Sequence, residues 1–174
     1  MNEIEKSLIT RRSCRAYKPD MIPEDVLERI LEAGKYAPTG RNRQSPIIIA
    51  VTNREMRDRM AKLNAGVMGA ENDPFYGAPV VLVVLANKEV PTYIYDGSLV
   101  MGNLLNAAHS EGVAGCWIHR AREVFVTDEG RESLASLGIE GEYEGIGNCI
   151  LGYPASDEAP TAQPRKDNYV YYIK

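Results

Sequence analysis

The chain has 174 residues, 44% of them apolar and 25% charged, a balance that favours one globular domain with a substantial core over a disordered segment. Its net charge of −4 argues against general nucleic-acid binding, which needs a basic face to neutralise phosphates. No apolar run approaches bilayer-crossing length and the charged stretch at residues 1–6 lacks the apolar segment of a signal peptide, so the expectation is a cytoplasmic protein with no membrane partner. Cys14, Cys116 and Cys149 are odd in number and far apart, giving neither a disulfide framework nor a cysteine metal site.

Residues 3–10 read as a short helix. A clearer one follows Pro23, which suits a first helical position, with Glu24 and Asp25 at the positive end of the dipole. Val26, Leu27, Ile30, Leu31 and Ala33 give it an apolar stripe of helical period, and Pro38 stops it. Residues 38–46 are turn formers and polar side chains. A strand is predicted at 47–51, a helix over 53–64, and a buried strand in the β-branched run Val80-Val81-Leu82-Val83-Val84-Leu85. The helix expected over 95–111 carries Gly97, Ser98, Gly102, Ala107 and Ala108, small residues that admit another backbone from the chain's own sheet or from a second subunit. A strand near 113–118, a helix near 127–137 and a strand near 144–151 complete an alternation read as one α+β or α/β unit spanning 1–174. Residues 154–168, rich in Pro, Ala and Asp, read as an irregular arm. The run Tyr169-Val170-Tyr171-Tyr172-Ile173 behind it reads as a terminal strand able to dock at a distance, on another subunit.

Arg11-Arg12-Ser13-Cys14-Arg15 concentrates three guanidiniums and a hydroxyl in an acidic chain. In an extended conformation Arg11, Ser13 and Arg15 share one face and Arg12 looks the other way. Two guanidinium forks beside a hydroxyl suit a phosphate or another oxyanion, although such a cluster alone fits a solvated turn equally well. No nucleophile elbow, Walker A loop or H-E-x-x-H helix is present, and Gly145-Ile146-Gly147 lacks the third glycine of a dinucleotide fingerprint. His109 near a helix C-terminus is favoured there by the dipole, and the cysteines are better read as small buried groups than as reactive thiols. With no catalytic side chain or metal centre in evidence, an enzymatic reading puts the chemistry on a cofactor.

Four segments taken in order, Arg11–Arg15, Pro38-Thr39-Gly40-Arg41-Asn42-Arg43-Gln44, Gly112–Ile118, and Gly152-Tyr153-Pro154 followed by Pro164-Arg165-Lys166, resemble the compact branch of the nitroreductase family over essentially the whole chain. The resemblance implies an α+β fold, a three-layer α/β/α sandwich with a mixed sheet. It further implies an intertwined homodimer with the C-terminal strand exchanged and the arm 154–174 docked on the partner. FMN would lie at the interface. Arg11 and Ser13 would take its phosphate, with Arg12 in the same segment; Arg15 would lie toward the pyrimidine edge of the ring. The partner's loop would supply Pro38, Thr39, Gly40, Asn42 and Gln44. Trp117, Ile118 and His119 would lie along the ring, and Arg165 and Lys166 would return to the phosphate. One departure is that Ser45 separates Gln44 from Pro46 where the family loop runs directly into proline. The activity implied is ping-pong hydride transfer from NADH or NADPH through FMN to a small acceptor such as a nitroaromatic, quinone or enone. A module that stores or senses FMN without turnover is the competing reading. Phe75 and Tyr76 are candidates for the substrate cleft or for packing a loop onto the sheet.

Overall fold

The computed structural model describes residues 1–156 and 160–174, so positions 157–159 of the predicted arm lie outside the described residues. The fold is organised around the apolar run that the sequence marks most clearly. Strand β2 (Val80–Asn87) is fully buried from Val80 to Ala86, and a strand apolar on both faces needs cover on both. β1 (Pro46–Val51) and β4 (Tyr143–Gly152) flank it, and β3 (Ala114–Ile118) lies beyond β4, giving the order β1-β2-β4-β3.

Every ladder of this sheet is antiparallel, which corrects the expectation of a mixed sheet for the chain by itself. The only parallel pairing among the described residues is an isolated bridge between Ser13 and Gly115. Val51 stands opposite Val81, so the chain leaves and re-enters the sheet at one end. The helix between them, α3 (Arg54–Met68), is therefore an excursion, not a parallel crossover.

Two clusters of buried side chains lie on the two faces of β2, so the expected three layers are present. Val80, Leu82 and Val84 meet Ile30 of α2 (Glu24–Lys35) and Met101 and Leu104 of α4 (Tyr93–Ser110). Val81, Val83 and Leu85 meet Met60 of α3, Phe125 of α5 (Ala121–Phe125) and Leu134 of α6 (Asp128–Ser136). The register of β4 shifts between Val84 and Leu85, which pair with Gly147 and Gly145 and leave Ile146 as a bulge. The side chain of Ile146 fills the space that a Cβ at Gly97 would need. One small residue of α4 thus serves the chain's own core, whereas Gly102 faces open space.

Several local expectations shift. α1 (Glu3–Thr10) opens on a reciprocal Asn2–Glu5 capping box. Pro23 is the cap of α2, not its first helical residue. α3 runs on to Met68 and ends at Gly69 in the left-handed conformation. The five-residue α5 was not expected. Residues 169–173 make no ladder and are exposed: the strand expected there is one that docks on another subunit, and the run reaches no edge in its own chain. Among the described residues, no helix is long and apolar enough to cross a membrane.

Candidate functional site

The basic segment threads between the β3 edge of the sheet and the chain that follows β4. Cys14 donates its N–H to the Gly115 carbonyl at 3.1 Å, Lys18 donates to Tyr153 at 2.9 Å, and Ala155 donates back to Ala16 at 3.0 Å. Tyr17 is sunk beside Cys14, Cys116 and Cys149; burial, more than those thiols, pushes its pKa up, and its hydroxyl donates to the Cys14 carbonyl at 2.9 Å. Cys149 is fully buried, which also raises its pKa and keeps it a thiol.

Along this segment runs a cavity of about 540 Å³, lined by Arg11, Arg12, Cys14 and Arg15 and by His109 and Gly115 among others. The size falls within the range of small-molecule sites, about 300–1,000 Å³. None of its described lining residues is acidic. Nη1 of Arg11 is buried and has no hydrogen-bond partner among the described residues. Buried guanidinium nitrogens are ordinarily paired, so an unpaired one on a residue that borders a cavity with no acid among its described lining residues fits an anionic ligand. Arg12 lines the same cavity, but its Nη1 donates to the carbonyls of Ile9 and Arg11 at 2.7 and 2.8 Å, closing the C-terminus of α1. Ser13 does not line the cavity; it forms the bridge to Gly115. The expected alternation is lost because the segment is pinned at single bridges and not along a continuous ladder.

His109 departs from its sequence reading. Burial first, then the charges of Arg11 and Arg12, hold its pKa below the ordinary value of 6.5.

The other predicted residues occupy different ground. Pro38–Gln44 does not reach the arginine cavity. Thr39 and Gln44 line a separate cavity of about 520 Å³ against α2 and β1. The exposed amides of Asn42 and Gln44 lie side by side, Nε2 of Gln44 being 3.4 Å from Oδ1 of Asn42. Behind the loop stands a buried carboxylate that the sequence reading missed, Asp96, which accepts hydrogen bonds from Gly40, Ser45 and Thr92. It stands in the first turn of α4, and two of its partners lie more than fifty positions away, so no local spacing marks it. Trp117 is half-exposed with its ring over Gly147, while the side chain of Ile118 faces the core. His119 is exposed, and its carbonyl accepts from the buried amides of Asn64 and Asn148 at 3.0 and 3.4 Å, two further residues that the sequence gave no signal for.

One expectation needs correction, and two residues of the tail stand apart in the single chain. Phe75 is not a cleft residue: its ring is fully buried in the second cluster, under the Arg57 guanidinium at 5.5 Å. Tyr76 beside it is exposed, at φ 53°. Arg165 and Lys166 do not line the arginine cavity; both are exposed, with Lys166 Nζ 5.4 Å from the Tyr169 ring. Earlier parts of the tail, Pro154, Ser156 and Pro160, are the ones that border it.

Comparison with known proteins decides the family. The model of the Nitroreductase family matches residues 8–75, which contain both the basic segment and the polar loop. A protein of Archaeoglobus fulgidus, provisionally named NADH dehydrogenase/NAD(P)H nitroreductase, is 30% identical over 164 residues, covering 91% of this chain and 89% of its own. The chain belongs to the nitroreductase family. The FMN reductase [NAD(P)H] of Bacillus subtilis is 32% identical over 176 residues, 91% of this chain and 69% of that protein. A nitroreductase of Bacteroides fragilis, solved with bound FMN, superposes with a TM-score of 0.89 at 28% identity over the full length of both chains. This nitroreductase-family chain thus shares its α+β architecture with a solved flavoprotein from end to end.

Proposed function

We propose that this nitroreductase-family chain is an FMN-dependent NAD(P)H oxidoreductase that works as a homodimer. The observation that carries the reading is the buried, unpartnered Nη1 of Arg11 on a cavity lined by three arginines and no described acid. A phosphomonoester brings a charge of roughly −1.5 to −2 and three acceptor oxygens, the complement of guanidinium forks. Arg11 would hold that phosphate. Arg15, on the same cavity, would set a fixed positive charge against a ring that gains electron density on reduction. Asn42 and Gln44 offer both donors and acceptors, as the pyrimidine edge of a flavin requires. The FMN bound by the Bacteroides fragilis relative and the name of the Bacillus subtilis one support the choice of cofactor.

The arginine cavity and the amide loop lie apart in one chain, so a site using both draws them from two protomers. α1 supports that reading: none of its residues is buried, and Ile4, Leu8 and Ile9 stand in solvent. So does the exposed 169–173 run, a strand former laid in this reading on the partner. FMN held there would supply hydride transfer between NADH or NADPH and a small acceptor such as a nitroaromatic, quinone or enone. The chain's own task is to hold and orient that cofactor and to tune its charge.

The test is a visible spectrum of the purified protein, followed anaerobically as NADH and then NADPH is added. A flavin spectrum that bleaches with either donor is the expected result. Protein that takes up no FMN overturns the reading, and bound flavin that stays oxidised with both donors reduces it to flavin storage or sensing.

A further inference from the structure

The loop over residues 39–45 gathers most of the left-handed non-glycine backbone among the described residues. Arg41, Asn42 and Gln44 stand at φ 54°, 53° and 50°, three of only five non-glycine residues with positive φ among the described residues. Left-handed conformations in residues with a Cβ are disfavoured, and a cluster of them persists only where neighbouring structure enforces it. Part of the enforcement is local. Asn42 donates its N–H to the Thr39 carbonyl at 3.0 Å, Arg43 to Gly40 at 3.2 Å, and Gln44 to Thr39 Oγ1 at 3.1 Å.

The rest comes from one side chain. Asp96, 2% exposed, accepts from the Gly40 N–H at 2.9 Å on Oδ1, and from the hydroxyls of Ser45 at 2.8 Å and Thr92 at 3.0 Å on Oδ2. It therefore grips the loop at both ends, Gly40 and Ser45, and ties it to the first turn of α4. All three partners are donors, and a carboxylate is the one side chain of this size that only accepts. The approach is close: a Cβ at Gly40 would overlap the Thr92 side chain. The clamp leaves Asn42 and Gln44 exposed at the tip, side by side.

We infer that Asp96 is a positioning residue for flavin recognition, holding the strained loop so that the amides of Asn42 and Gln44 are presented in one geometry. The inference rests on the FMN reading above and assigns this residue to the ring side of the site, as distinct from the phosphate side served by Arg11. Without the carboxylate the three left-handed residues relax, and the amides no longer meet a ligand as a pair.

The experiment measures the dissociation constants of FMN and of riboflavin for the wild type, Asp96→Asn, Arg11→Ala and the double variant Ser45→Ala/Thr92→Val, each at a temperature where circular dichroism shows it folded. Asp96→Asn is expected to weaken FMN and riboflavin by the same factor, about tenfold or more, the worth of one or two lost hydrogen bonds. Arg11→Ala is expected to weaken FMN alone. A purely structural role for Asp96 would lower the melting temperature and leave both affinities of the folded protein unchanged, which overturns the inference. So does a loss confined to FMN. If Asp96→Asn does not fold, the double variant decides: it is expected to weaken both flavins, and unchanged affinities overturn the inference. Normal binding by Asp96→Asn together with lost FMN in Arg11→Ala removes the inference and keeps the flavin reading. A wild type that binds neither flavin removes both.

Discussion

The hydroxyl of Thr10, the last residue of α1, meets Nε2 of His109, in the last turn of α4, at 3.0 Å. Thr10 already donates its proton to the Lys6 carbonyl at 2.8 Å, so the histidine is the donor between the two and its Nδ1 is left to accept. His109 is thereby held on the wall of the arginine cavity, where burial and then the charges of Arg11 and Arg12 favour the neutral ring. It is expected to titrate below 6.5 in the flavin-free protein, followed through its ring proton shifts by NMR. Arg11→Ala moves that titration back toward 6.5 without reaching it, because burial is the larger cause. A folded-state pKa below the unfolded one gives a contribution to stability that is full above 6.5 and is lost as pH falls through that value toward the folded-state pKa. His109→Gln should flatten that acid limb of the denaturation curve; a histidine titrating at or above 6.5 contradicts the assignment.

Arg11 offers a second test, with opposite signs on stability and binding. A buried polar nitrogen without a partner costs about 1–3 kcal/mol, more when charged. Arg11→Ala is therefore expected to leave the melting temperature of the flavin-free protein unchanged or raise it, while FMN retention after dialysis falls. Such a trade is usual where a site is kept ready for a ligand. Lower stability together with normal FMN retention would show that Arg11 serves the fold.

Much of this was legible in the sequence, for identifiable reasons. β2 and the stripe of α2 announce themselves because their periodicity is local, and the basic segment does so because charge is dense in five residues. The failures are non-local. Of the two readings open for Phe75, the structure keeps the packing of a loop onto the sheet, but the Arg57 and Asp73 contacts that hold it there are revealed by no nearby spacing. Asp96 and Asn148 have their partners tens of residues away. The run 169–173 has the composition of a strand, and the edge expected for it lies on another subunit, which a single chain does not contain. α5, five residues long and without a side-chain cap, carries almost no signal of its own.

The Arg57 site gives a prediction about the approach to β2. The guanidinium is 7% exposed and fully engaged, with Nε on the Ala78 carbonyl at 2.8 Å, Nη1 on Asp58 at 3.0 Å and Nη2 on Asp73 at 2.5 Å. Asp73 also accepts from the N–H groups of Phe75 and Gly77. Burial alone would raise the Asp73 pKa, but the bonds from Arg57, Gly77 and Phe75 outweigh it and hold it below 3.8. Arg57→Ala is expected to cost about 3 kcal/mol in urea denaturation, the low end for a broken buried pair because Asp73 keeps some contact with water. Arg57→Lys should recover little, since one ammonium cannot reproduce three directed bonds. The Asp73 share is present above 3.8 and is lost as pH falls through its folded-state pKa. A cost near zero would mean that the segment 73–78 is held by Phe75 alone.

The tail supplies the test of assembly. β3 has its outer edge partly taken by the Ser13 bridge to Gly115, so β1 is the open edge of the sheet. Residues 169–173 are exposed in their own chain, Ile173 completely so, and all five are aromatic or β-branched side chains of high strand propensity. Laid on the β1 edge of a second copy, that run would gain a ladder and bury its rings. Burial of two such side chains alone contributes about 3 kcal/mol, roughly a hundredfold in a dimer dissociation constant. The full chain is therefore expected to sediment as a dimer, and a chain ending at Asn168 to dissociate at protein concentrations where the full chain does not. FMN retention should fall in parallel, since a site drawn from two protomers is lost when they separate. An unchanged sedimentation profile after truncation would place the interface on α1 and α4 and leave the tail outside it.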